Sequence, residues 1–151
     1  MRLVYGRDDI FVPWICAQLK IMKPAPCVSI GIIDAEGQIA GAALYNGFQL
    51  DIQGKPLLIE ISFATLDKRW CSRAIVFGLL SYPFSQLRVR RVQVTVSKRN
   101  RTVRSFLTKL GFIYEGTGRQ AWPGGGDCCV YSLLSKEFFA SKWNLNVKKH
   151  T

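Results

Sequence analysis

Hydrophobic and polar positions along this chain fall into short blocks whose period switches between two and 3.6 residues. Arg2 to Tyr5 reads as a strand, and Asp8 or Asp9 is placed to cap a helix running to about Lys20, with Pro13 in its first turn. Lys23-Pro24-Ala25-Pro26 breaks that helix. Val28 to Asp34 is a Val/Ile-rich run that turns through Ala35-Glu36-Gly37 into Gln38 to Tyr45, a hairpin signature, with Asn46-Gly47 ending the second strand. After a turn at Asp51 to Gly54, Leu57 to Ala64 is apolar enough for the middle of a sheet.

The second half alternates element types. Thr65 to Trp70 reads as a polar loop and Cys71 to about Leu80 as a helix. Val92, Val94 and Val96 share one face of a strand whose other face carries Gln93 and Thr95. Asn100 opens a helix with apolar positions Val103, Phe106, Leu107 and Leu110 at helical spacing, and Gly111 stops it. Phe112 to Glu115 and Cys128 to Leu134 pair as strands around a loop holding Pro123-Gly124-Gly125-Gly126, and a short helix from Ser135 to about Trp143 closes the order. The expected fold class is α/β (α+β), with a mixed sheet and helices on its faces. No repeat or linker interrupts 1–151, so a single domain is expected.

Composition narrows the chemistry. No apolar run reaches the ~20 residues that span a bilayer, and no secretory signal is visible at Met1 to Asp9, so a soluble cytoplasmic protein is expected. Cys16, Cys27, Cys71, Cys128 and Cys129 contain no CxxC pair, and His150 is the only histidine, so neither a metal site nor a His-activated nucleophile is expected. The net charge is +11, and the window Lys68 to Arg119 accounts for all of it, holding twelve basic residues against Glu115 alone. Such a window suits nucleic acid or a phosphorylated cofactor, or is a solvated basic face.

Two segments carry candidate chemistry. The turn Lys68-Arg69-Trp70-Cys71-Ser72-Arg73-Ala74 enters a helix, whose first free N–H groups and dipole attract phosphate. Ser72 and Ala74 are small enough to let a ligand approach the backbone, and an ordinary capped surface helix has the same sequence features. The second segment is Asn100-Arg101-Thr102-Val103-Arg104-Ser105-Phe106-Leu107-Thr108-Lys109-Leu110-Gly111-Phe112, followed by Tyr114-Glu115-Gly116 and Arg119. It resembles the signature of the GCN5-related N-acetyltransferase (GNAT) family, in the right order after a turn similar to that family's Arg/Gln-x-x-Gly-x-Gly/Ala loop. The resemblance runs from Leu57 to Glu137. It looks closest to the branch that acetylates ribosomal-protein amino termini and to short bacterial and phage relatives.

That resemblance implies a GNAT fold with splayed parallel strands, acetyl-CoA as co-substrate and an amine acceptor. Backbone at Phe63, Ala64 and Thr65 would bond the pantetheine arm, and Asn100 would contact it near the splay. Backbone from Trp70 through Cys71, Ser72 and Arg73 to Ala74, with the Arg69 and Arg73 side chains, would hold the pyrophosphate. Arg101 and Arg104 would meet the adenosine 3′-phosphate or stay solvated. Two departures are visible: Leu107 stands where many members carry a tyrosine general acid, and Ser72 replaces the loop's first glycine.

Glu60 and Ser62 alternate to one face of the strand before the loop, and Glu60 is that strand's one carboxylate. It is a candidate base, or it faces solvent or pairs with an arginine. Tyr114, Asp127 and Tyr131 lie on or near the last strands, with Tyr131 taken as a catalytic candidate. Trp122 to Gly126 reads as a lip over the acceptor site or as a plain hairpin. Three functions compete: acetyl transfer to an amine, a CoA-binding or degenerate module that modulates a host protein as a phage-type inhibitor would, and a nucleic-acid binder. The last is disfavoured because no stacking-aromatic motif accompanies the basic residues.

Overall fold

A computed structural model describes residues 1–146; His150 lies outside the described residues. The elements are β1 (Arg2–Tyr5), α1 (Asp8–Leu19), β2 (Cys27–Ile33), β3 (Ile39–Leu50), β4 (Pro56–Thr65), α2 (Arg73–Ser81), β5 (Arg91–Ser97), α3 (Arg101–Leu110), β6 (Ile113–Gly118), β7 (Cys128–Leu134) and α4 (Ser135–Ala140). The strands form one seven-stranded sheet in the order β1-β2-β3-β4-β5-β7-β6. Every neighbouring pair is antiparallel except β4 and β5. The expected mixed, mostly antiparallel sheet with flanking helices is therefore the observed one.

The alternation read from the sequence decides which helix covers which strand. Ile59 and Ile61 of β4, Val92, Val94 and Val96 of β5, and Cys129, Tyr131 and Leu133 of β7 are buried in one cluster with α2, α3 and Phe138 of α4. On the opposite face Ala42 and Leu44 of β3 pack beneath Phe11, Val12, Ile15 and Cys16 of α1. Gly31 permits this approach, since a Cβ there would fall 2.1 Å from the Phe11 ring. Among the described residues no helix is long and apolar enough to cross a membrane.

Several local expectations are corrected. Asn46-Gly47 does not end β3: the strand continues to Leu50 through an irregularity between Asn46 and Gln49, where Gly47 takes φ +68°. A glycine in that conformation supplies the bulge without steric penalty, so the turn-like dipeptide marks a kink. Neither Asp8 nor Asp9 caps α1, whose N-cap is Arg7. Asp8 instead accepts from the backbone and hydroxyl of Ser29 at 2.8 and 2.6 Å, which ties the helix to β2. Pro13 lies beyond the first turn of α1, where it lacks the N–H that would bond the Asp9 carbonyl. Tyr82 to Gln86 adds a wider π-helical turn after α2, which the sequence reading did not separate.

Candidate functional site

The site begins where two strands part. β4 pairs with β5 only from Leu58↔Arg91 to Glu60↔Gln93. Beyond that, β4 stays zipped to β3 through Phe63↔Ala43 and Thr65↔Gly41, while β5 follows β7 through Thr95↔Val130 and Ser97↔Cys128. A cleft of about 500 Å³ opens between them, walled by Ser62, Phe63, Val94, Thr95, Val96, Val103, Cys128 and Val130. Backbone N–H and C=O groups that have no ladder must find other partners. The open edges of Phe63, Ala64 and Thr65 therefore suit an extended ligand carrying amides, which would enter as an added strand.

Aromatic packing holds the opening in shape. The Phe63 ring lies 5.7 Å from Trp70 and 5.9 Å from Phe106, and Trp70 lies 5.2 Å from Phe106. Trp70 is thus a core residue, and only its backbone belongs to the turn. Leu107 is also core, 1% exposed, and does not line the cleft.

The turn before α2 is built by its own side chains. Asp67 accepts from the Arg69 amide at 2.9 Å and pairs with the Arg69 guanidinium at 2.6 Å, which holds the Asp67 carboxyl below its ordinary pKa. Ser72 accepts from the Ile75 amide at 3.2 Å, so α2 starts at Arg73 and not at Cys71. The hydroxyl of Ser72 is the N-cap of α2. The amides of Arg73 and Ala74 have no partner among the described residues and are the groups an anion would meet. The Arg73 guanidinium donates to the Lys142 carbonyl. Both arginines expected to grip phosphate therefore have protein partners in this structure. Cys71 is half-buried, and burial pushes its thiol up.

Asn100 caps α3 by accepting from the Val103 amide at 3.2 Å, and it lines the cleft. Arg104 donates to the Tyr131 hydroxyl at 3.0 Å and to the Lys98 carbonyl at 3.1 Å. Its guanidinium also lies 5.8 Å from the Tyr114 ring centre. Arg104 thus clamps the first turns of α3 to the sheet, while Arg101 is exposed. Lys98, Arg99, Arg101 and Arg104 together rim a surface hollow that also includes Gly126 and Asp127.

The catalytic candidates separate. Glu60 is half-buried at the last paired position before the splay, and Thr95 donates to its Oε1 at 3.0 Å. No arginine pairs with it among the described residues. Ser62, two residues on, reaches the cleft wall. Tyr131 does not join them: it is 3% exposed, buried in the core cluster beside Val94, with its hydroxyl held by Arg104. Cys128 and Val130 reach the cleft, whereas Tyr131 packs into the core cluster.

Two residues not singled out as site candidates belong here. Thr95 was marked by its place on the polar face of an otherwise valine-rich strand. Cys128, the first residue of β7, lines the cleft at 7% exposure. Burial pushes the Cys128 thiol up. Ala121, Trp122 and Pro123 also line the cleft, as do Leu19 and Ile21 at and just after the end of α1. Among the described residues no group of three His, Cys, Asp or Glu side chains could hold a metal ion.

No protein-family model matches the chain, and no curated protein matches it by sequence. Solved structures do match. The spermidine N-acetyltransferase SpeG from Vibrio cholerae, in a mutant form, superposes with a TM-score of 0.73 at 13% identity, covering 93% of this chain and 98% of that one. A ribosomal-protein-S5-alanine acetyltransferase from Vibrio fischeri gives a TM-score of 0.61 at 16% identity, covering 83% of this chain and 68% of that one. The sheet order, the single parallel pair and the flanking helices are those of the GNAT fold.

Proposed function

We propose that the chain is an acetyl-CoA-dependent N-acetyltransferase that transfers an acetyl group to a primary amine by direct attack. The observation that carries this reading is the opening between β4 and β5, which ends the parallel ladder at Glu60↔Gln93 and offers an apolar cleft with free strand edges. The pantetheine arm would lie along Phe63 to Thr65, beside Asn100. Its diphosphate would meet the Arg73 and Ala74 amides, recruiting Arg69 and Arg73 from their present partners. The acceptor amine would approach from the Glu60, Ser62 and Thr95 side, giving up its proton to Glu60 directly or through water. Held in line, the amine and thioester gain the rate advantage of a near-attack geometry.

The acceptor class stays broad: a protein amino terminus, a lysine or a small amine. Both compared acetyltransferases act on amines of different kinds by their names, one spermidine and one a ribosomal-protein alanine. A second reading, a CoA-binding protein without turnover that modulates a host protein, draws on Leu107 standing in the core where a general acid is expected. One experiment separates them. Calorimetry with CoA and acetyl-CoA is expected to show binding, and free-thiol release with a panel of amines and peptides is expected to show turnover. Binding without turnover on any amine selects the second reading, and absence of binding overturns both.

A further inference from the structure

Acyl transfer releases a thiolate, and that thiolate needs a proton. Leu107 cannot donate one; it is buried and lines a smaller apolar hollow shared with Phe63 and Val94, not the cleft itself. The polar side chains that do line the cleft are Ser62, Thr95, Asn100, Trp122 and Cys128. Aliphatic hydroxyl, amide and indole groups are far weaker acids than a thiol, whereas a thiol is closely matched to a departing thiolate, and matched acidity favours proton transfer in the transition state.

Cys128 is also placed for the task. Its side chain is more than nine-tenths buried and faces the cleft, and the hydrogen bond it donates is a long one of 3.9 Å to the Cys129 carbonyl. On the sheet it sits one step beyond Thr95, because Thr95 pairs with Val130 and Ser97 with Cys128. Thr95 in turn donates to Glu60 at 3.0 Å. Cys128 is therefore a diagonal neighbour of Thr95 on the sheet face that also carries Glu60.

We propose that Cys128 is the general acid of the transfer reaction, and that Thr95 returns to it the proton that Glu60 takes from the acceptor amine. The inference rests on the acetyltransferase reading above. As the amine nitrogen bonds to the thioester carbon, the carbon–sulfur bond breaks and the sulfur of CoA takes the Cys128 proton. The Cys128 thiolate takes the Thr95 hydroxyl proton, and Thr95 takes the proton now on Glu60. The amine has lost one proton, the CoA thiol has gained one, and the three side chains end as they began. Thr95 is a positioning and relay residue; Cys128 touches the reacting sulfur.

The test uses the full chain and bromoacetyl-CoA, whose reactive carbon takes the place of the acetyl group. Calorimetry with CoA comes first, and lack of binding overturns the underlying reading and this proposal with it. With binding established, one adduct is expected on Cys128: its sulfur bonds to carbon as bromide leaves, excess CoA blocks the reaction, and iodoacetamide at equal concentration reacts more slowly. Binding of CoA with Cys128 left unlabelled overturns the proposal while leaving the reading intact. On the amine the wild type turns over best, Cys128→Ala is expected to lower kcat about 100-fold with KM for acetyl-CoA within about twofold. Thr95→Val should lower kcat in the same way, with Thr95→Ser restoring it. Unchanged kcat in Cys128→Ala, with correct folding by circular dichroism, also overturns the proposal.

Discussion

The two edges of β4 have opposite fates within one strand. Toward β3 the ladder runs from Leu50↔Pro56 to Gly41↔Thr65, interrupted by two register shifts between Asn46 and Leu50. Toward β5 it stops at Glu60. The difference is in the neighbours, not in β4 itself: β3 returns through a tight turn at Asp51 to Gly54, whereas β5 comes back only after α2 and then commits to β7. A hairpin partner is bound to its strand by a short connection, while a crossover partner is free to diverge. The closed edge carries stability and the open edge carries the proposed chemistry.

Substitutions on the two edges should therefore differ in size and in kind. The largest loss is expected from Gly41→Val, because a Cβ there would fall 2.8 Å from the Ala64 carbonyl oxygen and push β3 off β4. Urea unfolding should show about 3 kcal/mol or more, the upper range for forced overpacking. Less destabilising, by about 1–3 kcal/mol, is Leu107→Tyr, which puts a larger side chain against a hollow of only about 40 Å³.

On the open edge the expected readout is ligand affinity. Arg69→Ala with Arg73→Ala should weaken CoA binding about 10- to 100-fold, as loss of charge-assisted hydrogen bonds does, with little change in the melting temperature. Unchanged affinity by calorimetry would place the diphosphate elsewhere. Ser72→Ala should remove the α2 cap and lower stability by about 1 kcal/mol, whereas Ser72→Gly should cost only a few tenths.

The smallest effect belongs to the Arg91–Glu115 ion pair at 2.5 Å, away from the splay. Its Arg91 partner holds the Glu115 carboxyl below the ordinary range. A depressed folded pKa adds stability above the unfolded value and loses it as pH falls through the folded one. Glu115→Gln should remove that acid-side slope and, because the Glu115 side chain is 39% exposed, change neutral-pH stability by under about 1 kcal/mol.

What the sequence disclosed follows from the range of the forces involved. Asn100 and Gly111 bracket α3 by local backbone chemistry, and both act as read, the glycine at φ +98°. Valine alternation gave β5 its faces, and the length of the apolar run put β4 inside the sheet. Nearest-neighbour signals failed where a distant partner decides: Asp8 prefers Ser29 to its own helix end, and Asn46-Gly47 bends a strand because β4 continues beside it. The site was legible as backbone and incompletely as side chains. Ser62 followed from strand phase, whereas Asn100 followed from the family resemblance. Separating Cys128 from Tyr131 required knowing which face of β7 the helices cover, a tertiary fact.

The makeup of the cleft wall has a calorimetric consequence. Phe63, Val94, Val96, Val103 and Val130 present chiefly hydrocarbon, and covering hydrocarbon lowers heat capacity. Any occupant that covers these side chains will bind with a heat that grows more exothermic on warming, so titrations at several temperatures would distinguish an insertion between the strands from an anion held at the surface turn alone.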